Sequence, residues 1–488
     1  MSEDKKFVDR MEAYNSAFQK MDESEKHFEE HIESYLVSDE GGWTKATDAG
    51  YCSEDSRGMA LDIITLTNFV QTTQPMAWRR FERMCTISPI RQFYKAFENA
   101  VTQDGLISVM RHGFKHRGIN FRVCYFKPES ELNELANEHY KQNVCQCIRQ
   151  WHYTEANRNS IDMMLAVNGI PVVAIELKNQ LTGQSVDDAM RQWEYNRNPK
   201  EYAFGFNKRV LAYFACDLYN VYMTTQLNGA ETVFLPFNQG SNGAGKDGGA
   251  GNPTTEDGKY VTSYFWENVL QKDKLLDILQ KFISYERSEK KKIMPDGSTK
   301  TTVSSKVIFP RYHQLDVVRE LVSHVRENGA GHNYLIQHSA GSGKSNSIAW
   351  TAYRMASLHD ENNNPIFDSV IIVTDRRVLD QQLQATVSGF DHTLGSVVTI
   401  DEKKNSGDLR DAINDGKRII ISTLQKFPVI YDEVHSSVGK HYAVIVDEAH
   451  SSQTGQSALK LKAALADVSD ALQEYAELEE KAVEEIEK

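Results

Sequence analysis

The sequence predicts a two-part α/β chain: a mixed, strand-rich first part and a second part built on a parallel sheet. Three observations predict this. Between residues 119 and 223, apolar β-branched runs crowd together around one helical stretch. From about 305 onward, short apolar strands alternate regularly with helices, the pattern of a parallel sheet covered on both faces. At 488 residues, the chain is also too long for one ordinary core.

Residues 1–23 read as a polar leader. From Ser24, SEKHFEEHIESYLV puts Phe28, Ile32, Tyr35 and Leu36 on one helical face behind a serine cap, and GGW at 41–43 ends the helix. FRVCYF, NVCQCIRQWHY, SIDMMLAV and PVVAIEL read as strands, with Asn168-Gly169 as the hairpin turn between the last two. Residues 184–196 read as a helix, and RVLAYFACD and NVYMTTQ as two further strands. Residues 238–258 are Gly- and Asn-rich, a surface loop whose GAGK lacks the strand, the Ser or Thr and the helix of a nucleotide site. A helix then runs through YFWENVLQKDKLLDILQKFISYE. The domains expected are 24–285 and 305–488, with the charged stretch 286–304 as the linker. In the second part, NYLIQH, DSVIIVT, KRIIIST and HYAVIVD are the expected strands.

Composition bounds the function without naming it. Apolar residues make up 40% and charged residues 25%, an ordinary globular balance. No run approaches the ~20 apolar residues of a membrane helix, and the N-terminus lacks a signal-peptide core, so a cytoplasmic location is expected. The six cysteines show no zinc spacing and read as reduced, structural thiols. The net charge of −13 advertises no nucleic-acid surface, but it is an average; residues 467–488 alone hold nine acidic and two basic residues.

Two clusters carry chemistry. Glu176 and Lys178 lie two apart on one strand and so face the same side, and the Asn-Gly hairpin brings Asp162 alongside. Two carboxylates and an ammonium are what metal-assisted phosphodiester hydrolysis needs. Asp162 and Glu176 would hold Mg2+ with help from the Leu177 carbonyl, and Lys178 would orient water or stabilise charge. A charged hairpin face facing solvent is the plain alternative, but both strands are otherwise strongly apolar. Gln192 and Tyr195 on the following helix, and Glu29 on the first, are auxiliary candidates.

The second cluster is HSAGSGKS, residues 338–345, between an expected strand and an expected helix. Ser339, Ala340, Gly341, Ser342 and Gly343 would close backbone N–H groups around the phosphates of ATP; Lys344 would reach the β- and γ-phosphates and Ser345 would hold Mg2+. His338 stands where the strict motif has its first glycine. AVIVDEAH ends an apolar strand in two acids: Asp447 would hold Mg2+, Glu448 would position the attacking water, and His450 would couple the site to a partner surface.

FPRYHQ, residues 309–314, resembles the adenine-reading motif of helicases, with Gln314 on the adenine edge. IIVTDRRVLDQQ and IISTLQKF stand where superfamily 2 helicases contact the DNA backbone, through Arg376, Arg377, Thr423 and Gln425. The segments NSIDMMLAVNGIPVVAIELKNQLTGQ, VYMTTQLNGAETVFLPFNQG, GAGNP, FPRYHQLDVV, QHSAGSGKSNSIAW and DEAHSSQTG, in this order over roughly residues 24–460, resemble the restriction (motor) subunit of type I restriction-modification enzymes. The resemblance implies a PD-(D/E)xK nuclease domain followed by RecA-like superfamily 2 motor domains. It also implies ATP-dependent translocation and cleavage of double-stranded DNA, in complex with methyltransferase and specificity subunits. Two departures stand out. The chain stops soon after DEAH, which reads as a fragment lacking the second RecA-like domain, and Gln192 and Tyr195 are three apart where the family has four. A stand-alone helicase-nuclease of antiviral defence is the alternative enzyme; an interaction protein with vestigial sites is the alternative outside enzymes.

Overall fold

The computed structural model describes residues 25–128, 133–240, 249–255, 259–293, 299–339, 341–374, 386–387, 397–400, 404–423 and 440–447. By its contacts the chain divides into two compact units, Met1–His313 and Gln314–Lys488.

The first unit is organised on a seven-stranded mixed sheet. Its strands are β1 (Thr44–Ala46), β4 (Cys145–His152), β5 (Ser160–Val167), β6 (Ile170–Leu177), β7 (Ala212–Cys216), β8 (Val221–Thr224) and β9 (Leu235–Pro236), side by side in that order. β4, β5 and β6 run antiparallel, whereas β6 and β7 are parallel. Every residue of β6 and all but the first of β5 are buried, so these strands form the centre of the unit, covered on both faces. The Asn168-Gly169 turn has both residues at positive φ (53° and 78°), as a two-residue hairpin requires. A side chain on Gly169 would run into the Asp62 carbonyl at 2.3 Å, so glycine is needed there twice over.

One sheet face is covered by a core around Trp151, Trp193, Phe204 and Tyr213. Helix α1 (Glu25–Leu36) buries Phe28, Ile32 and Leu36, with Phe28 stacked edge-on against Trp266. Beyond them, α2 (Ile63–Thr73), α3 (Pro75–Arg83), α4 (Pro89–His112) and the small hairpin β2 (Phe114–His116)–β3 (Ile119–Phe121) enclose an aromatic cluster of Trp78, Phe81, Phe93, Phe114 and Phe121. Only the first residue of FRVCYF is in β3; the rest runs on outside a ladder. Helix α5 (Glu134–Lys141) precedes β4, and α6 (Val186–Arg191) starts from a Ser185–Asp188 capping box. The helix expected across 264–286 divides into a π-helical turn, Phe265–Val269, and α7 (Lys272–Lys281), and its last three residues belong to a strand instead.

The stretch expected to be a linker is instead a ladder. β10 (Ser284–Ile293) pairs antiparallel with β11 (Thr299–Ile308) over ten residues each, within the first unit. The charge of KKK and the Pro-Asp-Gly at 295–297 read as loop, but Thr-Thr-Val-Ser-Ser in β11 is strand chemistry.

The second unit holds a four-stranded, all-parallel sheet in the order β13 (Val397–Thr399), β14 (Ile419–Thr423), β12 (Ser369–Thr374), β15 (Tyr442–Val446). Helices α8 (Tyr312–Asn328), whose first residues lie at the unit boundary, α9 (Lys344–Ala356) and α10 (Ser406–Asn414) accompany it, and Leu409 and Ile413 of α10 pack on Ile371 and Ile420. The expected strand NYLIQH does not form: residues 333–338 are outside any ladder, and Leu335 is 85% exposed. A strand needs a hydrogen-bonding neighbour. Among the described residues the sheet ends at β15, where Val444 is 39% exposed, and no strand pairs with this segment.

Candidate functional site

The β5–β6 hairpin assembles the first cluster. Asp162 stands near the start of β5, Glu176 near the end of β6, and Lys178 one residue beyond it. All three are buried, Glu176 completely. Asp162 Oδ2 accepts the backbone N–H of Leu177 at 2.7 Å and lies 3.9 Å from Lys178 Nζ, which donates to the Leu177 carbonyl at 2.8 Å. One backbone step of β6 therefore holds the carboxylate and the ammonium in a fixed relation.

Glu176 is held from another side. Arg197, itself buried, donates through Nε to Glu176 Oε1 at 2.8 Å and through a second nitrogen to the same oxygen and to the Ser160 carbonyl. Its guanidinium sits 5.5 Å from the centre of the Tyr153 ring. The other carboxylate oxygen, Oε2, is buried and has no hydrogen-bond partner. Burial, and then the neighbouring Asp162 charge, push the Glu176 carboxyl well above the usual carboxylate range.

Glu29 reaches the edge of this cluster. Arg149 Nε and Gln150 Nε2 each donate to its carboxylate at 3.1 Å, and burial followed by the Asp162 charge raises its pKa. Gln150, opposite Asp162 on β4, has a left-handed φ of 52° and also accepts the Ser160 hydroxyl at 2.6 Å. That conformation is costly for a residue with a side chain, and it falls beside the carboxylates. Glu33, one turn along α1, is buried against Lys45 at 2.6 Å.

The expected helper Tyr195 is not part of the cluster. Gln192–Asn196 is a π-helical turn, in which Trp193 points inward and Tyr195 is 69% exposed. The wider turn carries the chain on so that Arg197, two residues later, faces the carboxylates. Gln192 is half-buried on that turn. Arg197 was missed because its sequence neighbourhood, YNRNPK, reads as a helix end with a solvated cation; only the burial of Glu176 creates the need for it.

The donor set suits a hard divalent cation. Two carboxylates lie close enough to raise the pKa of Glu176, one of their oxygens is a buried acceptor with nothing to accept, and the Leu177 carbonyl accepts from the neighbouring Lys178. Among the described residues, no group of three His, Cys, Asp or Glu could hold a metal by themselves.

In the second unit, Gly341 and Gly343 have φ of 75° and 85°, a loop conformation that favours glycine, and α9 starts at Lys344 with Gly343 as its cap. Ser345 is in the first turn of α9, where orphan N–H groups and the helix dipole favour phosphate. Ser342 is buried, and Ser339 lies ahead of the turn. Gln314 is 3% exposed, and its amide nitrogen donates to the Ser342 and Gly343 carbonyls at 3.1 and 3.0 Å. In this structure Gln314 thus braces the phosphate loop. Asp447 follows β15 and donates its N–H to the Val373 carbonyl at 2.9 Å; Thr423 ends β14 beside Thr374. Ala340, Arg376, Arg377, Gln425, Glu448 and His450 lie outside the described residues. Among the described residues no helix is long and apolar enough to cross a membrane.

Comparison with known proteins divides the chain as the structure does. Residues 23–235 match the family described as the type I restriction enzyme R protein N terminus, and residues 313–470 match the SWI2/SNF2 ATPase family. The endonuclease subunit of the type I restriction enzyme HindI from Haemophilus influenzae is 26% identical over 286 residues, covering 56% of this chain. The match spans 24% of that protein's length. An R-type N terminus followed by a helicase-like ATPase domain, with this relative, makes the chain a protein like the restriction (R) subunit of type I restriction enzymes.

Proposed function

We propose that the chain couples a Mg2+-dependent nuclease of the PD-(D/E)xK fold, in its first unit, to a RecA-like superfamily 2 ATPase in its second. Its role is ATP-dependent translocation and cleavage of double-stranded DNA, as the restriction subunit working with methyltransferase and specificity subunits. The observation that carries this reading is the buried Asp162–Glu176–Lys178 cluster with its unsatisfied Glu176 oxygen, in one chain with a phosphate-binding loop.

Asp162 and Glu176 would hold Mg2+, with the Leu177 carbonyl as a third oxygen. When bound, the ion polarises the scissile phosphate and lowers the pKa of a water. Arg197 fixes one oxygen of Glu176 and so presents the other. Lys178, anchored on the Leu177 carbonyl, keeps a positive charge beside the reacting phosphate. In the second unit Lys344 and the loop N–H groups would hold the ATP phosphates, Ser345 and Asp447 the Mg2+ of the nucleotide, and Glu448 the attacking water.

The test is plasmid cleavage by the full-length protein mixed with its methyltransferase and specificity partners and Mg2+, with and without ATP. Cutting that needs both ATP and the partners supports the reading. Cutting with Mg2+ alone, indifferent to ATP, overturns the coupling.

A further inference from the structure

The first unit contains a strongly basic module within an acidic chain. Residues 75–122 hold nine lysines and arginines against three acidic residues, an excess of six positive charges in a chain whose net charge is −13. The structure explains where they point. Trp78 and Phe81 of α3 are buried in the aromatic cluster. At about 100° per residue, Met76, Arg79, Arg80 and Arg83 then share the opposite face of α3, and all four are exposed. The β2–β3 hairpin adds to this face at its end. His116 packs on Phe81, and Arg117, at the αL position of the tight Arg117-Gly118 turn, donates to the Met84 carbonyl at 3.0 Å just past the helix. Lys115 of the same hairpin is exposed.

Arg80 and Arg83 in the last turn stabilise the helix dipole, which accounts for two of these charges. It does not account for Arg79, Lys115 or Arg117. Among the described residues, Arg79, Arg80, Arg83 and Lys115 form no ion pair with a carboxylate. Arg79, Arg80 and Arg83 of α3 and Lys115 of the hairpin, like charges with no carboxylate partner among the described residues, make a surface suited to an external polyanion.

The module is tied rigidly to the sheet. Gln74, which precedes α3, exchanges two hydrogen bonds with the backbone of Arg122 at 2.8 Å each; the next residue, Val123, accepts from Asn168 of the hairpin turn at 2.8 Å. Asn168 lies six residues along β5 from Asp162, a separation of about 20 Å, or roughly six base pairs of duplex.

We propose that the outer face of α3, with the β2–β3 turn, binds the phosphate backbone of duplex DNA at a distance from the cleavage cluster, holding the helix in register for the nuclease. This rests on the reading of the first unit as a DNA nuclease. A guanidinium face makes sequence-independent phosphate contacts, as a subunit that reads no sequence needs.

The test compares the whole chain with its R79Q/R80Q/R83Q and R79K/R80K/R83K variants. Fluorescence anisotropy follows binding to a duplex of about 30 base pairs from 50 to 200 mM salt, without Mg2+. Each phosphate contact adds about 0.9 to the salt slope, so three contribute about 2.7, and fourfold more salt costs about 40-fold in affinity through them. The glutamine variant is expected to lose that share of the slope and bind correspondingly less tightly at 50 mM; the lysine variant is expected to keep it, because a phosphate accepts either cation. An unchanged slope in the glutamine variant overturns the proposal. So does equal loss in both variants, or a parent chain that does not bind duplex at low salt. Native DNA binding with lost association to the methyltransferase and specificity subunits would make this a protein-docking face instead. Because no cleavage is read, failure of the nuclease reading shows separately, as absence of Mg2+-dependent cutting with normal duplex binding.

Discussion

Replacing Arg197 by methionine should destabilise the first unit in a way that depends on pH. Arg197 is 3% exposed and Glu176 0%, so the pair is wholly desolvated. Removing one partner of such a pair typically costs about 3–5 kcal/mol, because the other charge is left buried and uncompensated. Here the remaining carboxyl can escape by taking a proton. Glu176 already sits well above the usual carboxylate range through burial and the Asp162 charge, and loss of Arg197 raises it further. A carboxyl whose folded pKa exceeds its unfolded value favours the folded state most in acid. That advantage is lost as pH rises from the ordinary carboxylate range through the raised folded value. At pH 8 the expected loss is therefore about 3 kcal/mol. At pH 5 it falls to about 1–2 kcal/mol, the worth of the hydrogen bond to Ser160 and the contact with Tyr153. Hydrogen-exchange protection of the β5 and β6 amides measures both values. A double-mutant cycle with Glu176→Gln should give a coupling of about 2 kcal/mol at pH 8. A loss below about 0.5 kcal/mol, the same loss at both pH values, or an additive cycle would refute the assignment of Arg197 as the counter-charge that positions Glu176.

Three further outcomes are expected. Mg2+ binding to the first unit, read by calorimetry on a P-loop variant that cannot bind nucleotide, should weaken as pH falls, because the raised Glu176 holds a proton the cation must displace; pH-independent affinity would remove Glu176 from the metal set. Lys178→Ala should abolish plasmid cutting while leaving ATP turnover by the assembled complex intact, and surviving cleavage would show that the hairpin ammonium is not part of the reaction. Gly343→Ala should lower affinity for a fluorescent ATP analogue at least tenfold: φ is +85°, costing about 1–2 kcal/mol for any side chain, and the new Cβ would stand 2.5 Å from Gln314 Nε2. Adding Gln314→Ala relieves the clash without restoring binding, since the backbone strain remains.

What could be read from the sequence was what local rules fix. Period-two alternation puts Glu176 and Lys178 on one side, and the Asn-Gly turn pairs β5 with β6, but the register at the turn (Val167 with Ile170, Ala166 with Pro171) would set Asp162 opposite Ile175; the shift between Leu165 and Ala166, which no local rule announces, brings it opposite Glu176. The parallel strands β12, β14 and β15 announced themselves as continuous apolar runs. Arg197 depends on a partner twenty-one residues away and on the burial of that partner, neither of which has a sequence period. Tyr195 was misplaced for a similar reason: a π turn adds one residue to the helix and shifts which side chain faces inward, and nothing in QWEYN marks it. The ladder over 284–308 was not foreseen because charge outweighed β-propensity in judging 286–304.

The distribution of buried charge argues for function more strongly than any single motif. Glu29, Glu33, Asp162 and Glu176 are all buried near one end of a sheet whose centre is otherwise Ile, Val, Leu, Met and Ala. Their partners come from several elements: Arg149 of β4 serves both Glu29 and Glu33, with Gln150 adding to Glu29 and Lys45 of β1 to Glu33, while Asp162 has Lys178 and the Leu177 N–H, and Glu176 has Arg197 beyond the π turn. An apolar replacement for such a network is usually as stable or more so, so stability alone does not explain it. Nor is the compensation complete, since one Glu176 oxygen is left unpaired and Gln150 is held in a strained conformation beside it. Carboxylates gathered by several cations, with one buried acceptor left open, mark this cluster as the functional-site candidate of the first unit.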